Sequence, residues 1–212
     1  MKKTLMMMGL ALLTLCGCSN EGAKQEVIEQ KSNSEVVIET IMTRRSVRKY
    51  KAEPVSREQM QQIVTCGINA PSGMNSQSWE IRVVDNPEFI NGTTEAWKKT
   101  LPADRLEKAI DANFKNMYRN APTVVFIACP KGGELNCGLL GENMILAAWS
   151  MGIGSCCLGG PIQFFRTDAG AEYLKKLEFS EGYELLYAIA FGYPDEAPDA
   201  KPRDASKVKF ID

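Results

Sequence analysis

The chain has 212 residues with 25 basic and 26 acidic side chains, a net charge of −1, so it carries no bulk positive field to recruit a nucleic-acid backbone. It contains no histidine at all, which excludes Ser-His-Asp and Cys-His catalysis, histidine-ligated zinc and imidazole proton shuttles. No metal site is expected, and the chemistry is assigned to a cofactor, with no side-chain acid or base as catalytic residue.

The N-terminus reads as an export signal over residues 1–18: Lys2-Lys3, an apolar run from Leu5 to Leu15, then Leu15-Cys16-Gly17-Cys18. The run is too short to span a bilayer stably. Leu-x-Gly-Cys after such a run resembles a bacterial lipobox, with Cys18 the lipidated first residue of the mature protein. The expected location is therefore the cell envelope, lipid-anchored and extracytoplasmic, facing the periplasm from the inner or outer membrane if the source is Gram-negative. Residues 19–34 are polar and aperiodic and read as a tether, which leaves 35–212 for one folded domain with a C-terminal arm.

In chain order, Ser34 is read as the cap of a helix that buries Val37, Ile38, Ile41 and Met42 on one face. It runs into Arg44-Arg45-Ser46-Val47-Arg48-Lys49-Tyr50, where three guanidiniums and a hydroxyl fall within five residues. Planar guanidinium forks match phosphate oxygens, so the cluster suits a phosphate; a solvated basic face is the competing reading. Ser56-Arg57-Glu58-Gln59 is a capping box that opens a second helix with Met60, Ile63, Val64 and Ile68 inward, stopped by Pro71. Ala70-Pro71-Ser72-Gly73-Met74-Asn75-Ser76-Gln77-Ser78 is a small polar helix-to-strand turn, and Trp79 to Val84 alternates as a strand.

Asn91 to Asn120 is mostly helical and more polar, and is read as a cover or lid rather than core. Thr123 to Cys129 is a nearly continuous apolar run suited to a buried strand. Leu139 to Met151 is apolar on almost every side and is read as a central helix ended by Gly152 and Gly154. Leu185 to Phe191 is another buried strand. Beyond Gly192 the composition shifts to proline and charge, giving an extended arm from Tyr193 to Ala205 and a short candidate edge strand at Val208-Lys209-Phe210-Ile211. Five cysteines follow Cys18. Either Cys129 and Cys137 pair across the Gly132-Gly133 turn, or all five are small buried hydrophobes. Adjacent Cys156-Cys157 bridge only with strain and are read as packing residues.

Together, Arg44-Arg45-Ser46-Val47-Arg48 and Ala70-Pro71-Ser72-Gly73-Met74-Asn75-Ser76-Gln77-Ser78-Trp79 resemble paired motifs of the nitroreductase family of FMN-dependent oxidoreductases. The match continues through Leu146 to Gly160, similar to the family's central helix and glycine-rich turn, and through Phe191-Gly192-Tyr193-Pro194 with Lys201-Pro202-Arg203. The resemblance covers about Glu35 to about Arg203. It implies an α+β fold with a central, mainly antiparallel sheet flanked by helices, in an intertwined homodimer with two FMN sites at the subunit interface.

By the same resemblance, Arg44, Arg45 and Ser46 hold the FMN phosphate and ribityl with Lys201 and Arg203, and Arg48 lies nearer the pyrimidine edge as an electrostatic aid. Pro71, Ser72 and Gly73 reach the flavin of the partner subunit, Asn75 and Gln77 offer amide bonds, and Leu158, Gly159 and Gly160 present backbone to the ring. Glu142-Asn143, read as the start of the central helix, either faces the flavin or caps. The implied activity is ping-pong reduction of nitroaromatics, quinones or similar small electrophilic acceptors by NADH or NADPH, or by another reductant, since nicotinamides are not expected outside the cytoplasm. Two alternatives share the basic cradle: a lipid-anchored flavin carrier without turnover, and a flavin-dependent reductive dehalogenase. Ser78 stands where many relatives have proline, and Asn91 to Asn120 matches no family motif.

Overall fold

The computed structural model describes residues 31–211. The export signal, Cys18 and most of the tether lie outside the described residues. No helix of the described residues is long and apolar enough to cross a membrane.

The organising element is β2 (Thr123–Cys129), in which all seven residues are buried. A strand without a polar face must be covered on both sides. β1 (Glu80–Val84) and β4 (Glu184–Gly192) flank it, and β3 (Gly154–Leu158) completes the order β1-β2-β4-β3, antiparallel throughout. The period-2 alternation of side chains divides the core in two. Val124, Phe126, Ala188 and Ala190 face one layer, while Val125, Ile127, Ile189 and Phe191 face the other.

The second layer is covered by α2 (Arg57–Ile68) and α5 (Glu134–Ser150). The predicted capping box of α2 is present: Ser56 Oγ accepts from Gln59 N–H, and Gln59 reaches back to Ser56 N–H. Gly141 of α5 makes room for Tyr187, whose hydroxyl donates to Cys137 O at 2.6 Å; a Cβ at Gly141 would collide with the Tyr187 hydroxyl oxygen. The first layer is covered by α3 (Pro87–Thr100), α6 (Ile162–Phe165) and α7 (Asp168–Lys175), and the short α4 (Ala103–Ala109) directly follows α3 in the chain.

Four expectations are corrected. α1 (Asn33–Thr43) starts upstream of the assigned cap and buries none of its residues: Ile38 is 61% exposed and Met42 69%. Asn91 to Asn120 is not simply a lid, because Thr93, Thr94, Met117 and Tyr118 are buried and the Tyr118 hydroxyl donates to Thr93 Oγ1 at 2.9 Å. The central helix begins at Glu134, so Glu142 and Asn143 are mid-helix and cap nothing; Asn143 Nδ2 donates to Cys66 O of α2. Val208 to Ile211 forms no strand among the described residues, and Phe210 is 92% exposed.

All five described cysteines are free thiols: Cys129, Cys137 and Cys156 are buried, Cys66 is half-buried and Cys157 is exposed. Burial, with the neighbouring Cys129 second, pushes the Cys137 thiol up to about 12.

Candidate functional site

α1 ends where the arginines begin. Arg45 Nη1 donates to Met42 O and to Arg44 O, both at 2.8 Å, so one guanidinium neutralises the carbonyl end of the helix. The chain then extends along β3: Ser46 bridges Ser155, and Val47 N–H donates to Ser155 O at 2.9 Å. Val47 is fully buried, which turns its extended neighbours Ser46 and Arg48 outward. On its other side the segment is stitched to the start of the arm: Lys51 N–H to Tyr193 O, Asp195 N–H to Lys49 O, and Arg48 N–H to Glu196 Oε1 at 2.5 Å.

The donors of this cluster are largely uncommitted. Arg44 meets Glu142 at 4.0 Å, and Arg48 Nη1 bonds Ser46 O at 3.1 Å. A guanidinium has five N–H groups, so donors remain for an anion. Arg48, Arg119 and Arg44 all act on Cys156, where they oppose the burial that raises its thiol. Arg119, at φ 62° after the buried Tyr118, is a cation the sequence reading did not mark, because its segment matched no motif.

From Ser155, β3 runs to Leu158, and Gly159 and Gly160 follow. The strand rise places this glycine turn ~13 Å from the arginine segment. Leu158 is buried, both glycines are exposed, and a Cβ at either would meet nothing within 4 Å. Arginine donors at one end of a strand and accessible backbone at the other suit an elongated ligand with a phosphate tail and a flat ring, so the residues present fit FMN.

Pro71 to Gln77 lies elsewhere. A 3-10 turn at Gly73–Asn75 leads into β1, and the loop packs on the N-terminal turn of α5. Across the sheet, β1 and β3 are opposite edges, ~14 Å apart at the usual strand spacing. Along the strands, the register that aligns Ser155 with Thr123 puts Glu80 beside Ala128, a further ~17 Å away. The arginine segment and this loop therefore occupy diagonally opposite corners of one protomer. Pro71, Gly73, Asn75 and Gln77 are exposed and Ser72 half-buried. Lys201 and Arg203 lie exposed on the arm, where Arg203 Nη1 bonds Lys201 O; among the described residues no hydrogen bond or ion pair joins either to Arg44–Arg48. The arm nevertheless departs from the cluster, at Glu196.

The Nitroreductase family model matches residues 41–193. A NADPH-flavin oxidoreductase from Vibrio harveyi is 30% identical over 171 residues, 78% of this chain and 69% of the relative. Among solved structures, a nitroreductase with bound FMN from Bacteroides fragilis superimposes with a TM-score of 0.71 at 27% identity, covering 83% of this chain and 98% of the other. One from Desulfitobacterium hafniense, also with bound FMN, gives 0.74 at 26% identity, with 84% and 98% covered. The chain belongs to the nitroreductase family.

Proposed function

We propose that this chain is an FMN-dependent NAD(P)H oxidoreductase that works as a homodimer and reduces small electrophilic acceptors such as nitroaromatics or quinones. The observation that carries the reading is the line of groups along β3, from Arg44, Arg45, Ser46 and Arg48 to Leu158, Gly159 and Gly160, within a fold whose solved relatives bind FMN. FMN, when bound, supplies the two-electron chemistry. The protein binds, orients and polarises: Arg44, Arg45 and Ser46 grip the phosphate and ribityl with Lys201 and Arg203 from the arm, and Arg48 offers a cation toward the ring. None of these tasks requires an imidazole.

The diagonal separation of the two motif segments supports the dimer. A second copy brings Pro71, Ser72, Gly73, Asn75 and Gln77 to a flavin held by the first copy's arginines. The exposed apolar face of α1 lies beside a groove of about 470 Å³ lined by Val36, Val37, Ile41, Leu146 and Ala147, a suitable seat for a subunit contact. The unsupported arm, with Val208, Phe210 and Ile211 exposed, needs a comparable surface.

The test is to reconstitute the protein, expressed from Ser19 onward, with FMN and titrate it anaerobically with NADPH and NADH. Bleaching of the flavin bands, and their return on adding a quinone or nitroaromatic, is expected; bound flavin that neither cofactor bleaches would replace the donor with another reductant or the enzyme with a carrier. The lipobox-like sequence further supports attachment to the cell envelope through Cys18. Cys18→Ser should move the protein from the membrane to the soluble fraction, and an unchanged distribution would remove the anchor from the proposal.

A further inference from the structure

We propose that Asn136 of α5 is a positioning residue that holds the Pro71–Gln77 loop in the shape in which it meets the flavin, a role that rests on the loop being part of the FMN site. The loop is conformationally costly. Met74 and Asn75 sit at φ 54° and Gln77 at φ 45°, left-handed positions that side chains other than glycine seldom adopt, and three of them in four residues must be held from outside. Burial does not do it, because Met74 at the tip is fully exposed and Asn75, Ser76 and Gln77 are exposed as well.

Hydrogen bonding does. Within the loop, Gln77 N–H donates to Ser72 Oγ at 3.0 Å and Ser76 N–H to Gly73 O at 3.0 Å. To the body of the protein, one side chain makes three bonds: Gly73 N–H donates to Asn136 Oδ1 at 3.3 Å, and Asn136 Nδ2 donates to Ser78 Oγ at 2.8 Å and to Ser76 Oγ at 3.4 Å. The amide uses its acceptor on the loop's entry and its donors on its exit, clamping the left-handed turn between them. Gly133 allows the close approach, since a Cβ there would stand 3.0 Å from Ser78 O.

The chemistry of the three partners predicts which replacement works. A carboxylate at 136 still accepts from Gly73 N–H, and both serine hydroxyls can turn to donate to it, so Asn136→Asp keeps the clamp. Asn136→Leu keeps the volume and loses every bond.

Two measurements test this: hydrogen exchange of the loop amides in FMN-free protein, and FMN affinity by quenching of flavin fluorescence. For Asn136→Leu the expected results are loop exchange about tenfold faster and a Kd raised roughly tenfold or more, with the dimer mass and the Tm of the FMN-free protein unchanged. For Asn136→Asp both readouts should stay within about twofold of wild type. Unchanged exchange in Asn136→Leu, faster exchange with unchanged affinity, or an aspartate variant as weak as the leucine one would each overturn the proposal. Should Asn136→Leu fail to fold, Ser78→Ala removes the shortest bond alone and must still raise exchange and Kd; no rise overturns the proposal equally. If wild-type protein bound no FMN, the exchange comparison would still decide whether Asn136 fixes the loop, and the failure would fall on the cofactor reading.

Discussion

Ser78 and Thr43 are held by the same helix at opposite ends: Asn136 Nδ2 donates to Ser78 Oγ at 2.8 Å, and Trp149 Nε1 donates to Thr43 Oγ1 at 3.0 Å. The helical rise puts ~20 Å of α5 axis between these contacts. Thr43 is the residue before the arginine cluster and Ser78 the residue after the Pro71–Gln77 loop. α5 therefore acts as a spacer that keeps the two segments apart within one chain, and a site that needs both needs two chains.

The arginine cluster should be separable from the fold. Arg44 is paired only at 4.0 Å with Glu142, so Arg44→Ala is expected to weaken FMN binding by roughly ten- to a hundredfold, the worth of a hydrogen bond to a charged group, while the Tm of the FMN-free protein stays put. Arg45→Ala should lose FMN and also fray α1, because it removes the donor to Met42 O. Flavin titration and circular dichroism distinguish the two, and wild-type affinity in both variants would contradict the phosphate assignment.

The arm is expected to matter for assembly rather than for the protomer core. Tyr193, Pro194 and Asp195 pair with Lys51, Tyr50 and Lys49 respectively, and Glu196 accepts from Arg48, so truncation must begin beyond them. Deletion of residues 197–212 should leave a folded protein with weakened dimerisation and lost flavin, measured by light scattering and absorbance. A fully loaded dimeric truncation would remove the arm from the site.

On α1 the apolar face should serve a partner and not the chain's own core. Ile38→Glu, at a position 61% exposed, is expected to change protomer stability by no more than about 0.5 kcal/mol while shifting the oligomer toward monomer. Sedimentation at several concentrations reads the shift. A mutant that loses stability but keeps its dimer would show that α1 packs internally.

Glu80 provides a pH signature. Burial tends to raise its pKa, but hydrogen bonds from Ser180 and the Arg82 guanidinium at 2.7 Å outweigh that and hold it below the usual carboxylate range. A lowered native pKa means stability that is present above the unfolded value of about 4.3 and lost as pH falls through the native one. Glu80→Gln should therefore flatten the acid side of the stability curve below about pH 5, costing on the order of 1 kcal/mol at neutral pH. An unchanged acid limb in urea titrations would mean that the pair contributes nothing.

Much of this was legible because the signals were local. The capping box at Ser56 and the seven-residue apolar run of β2 are each set by their own residues. What was missed or misread has a different cause. Gly154-Ser155-Cys156-Cys157-Leu158 has little strand propensity and is made a strand by pairing with β4. The face of α1 was visible as periodicity, but periodicity does not say whether the covering surface belongs to the same chain. Tyr118 is buried within a polar stretch, where composition averages it away. Asn136 carried no sequence signal, since one asparagine in a helix's first turn reads as nothing until the loop lies against it.

The most direct test of a flavin site shared between chains is cross-complementation. Arg44→Ala and Asn75→Ala are placed in different corners of the protomer, so each should bind FMN poorly alone. Unfolded together and refolded, they form mixed dimers in which one of the two sites is wholly wild type, and FMN binding should return to about a quarter of the wild-type capacity. A mixture that binds no more FMN than the separate variants would contradict the two-chain site and return the arginines and the loop to separate roles.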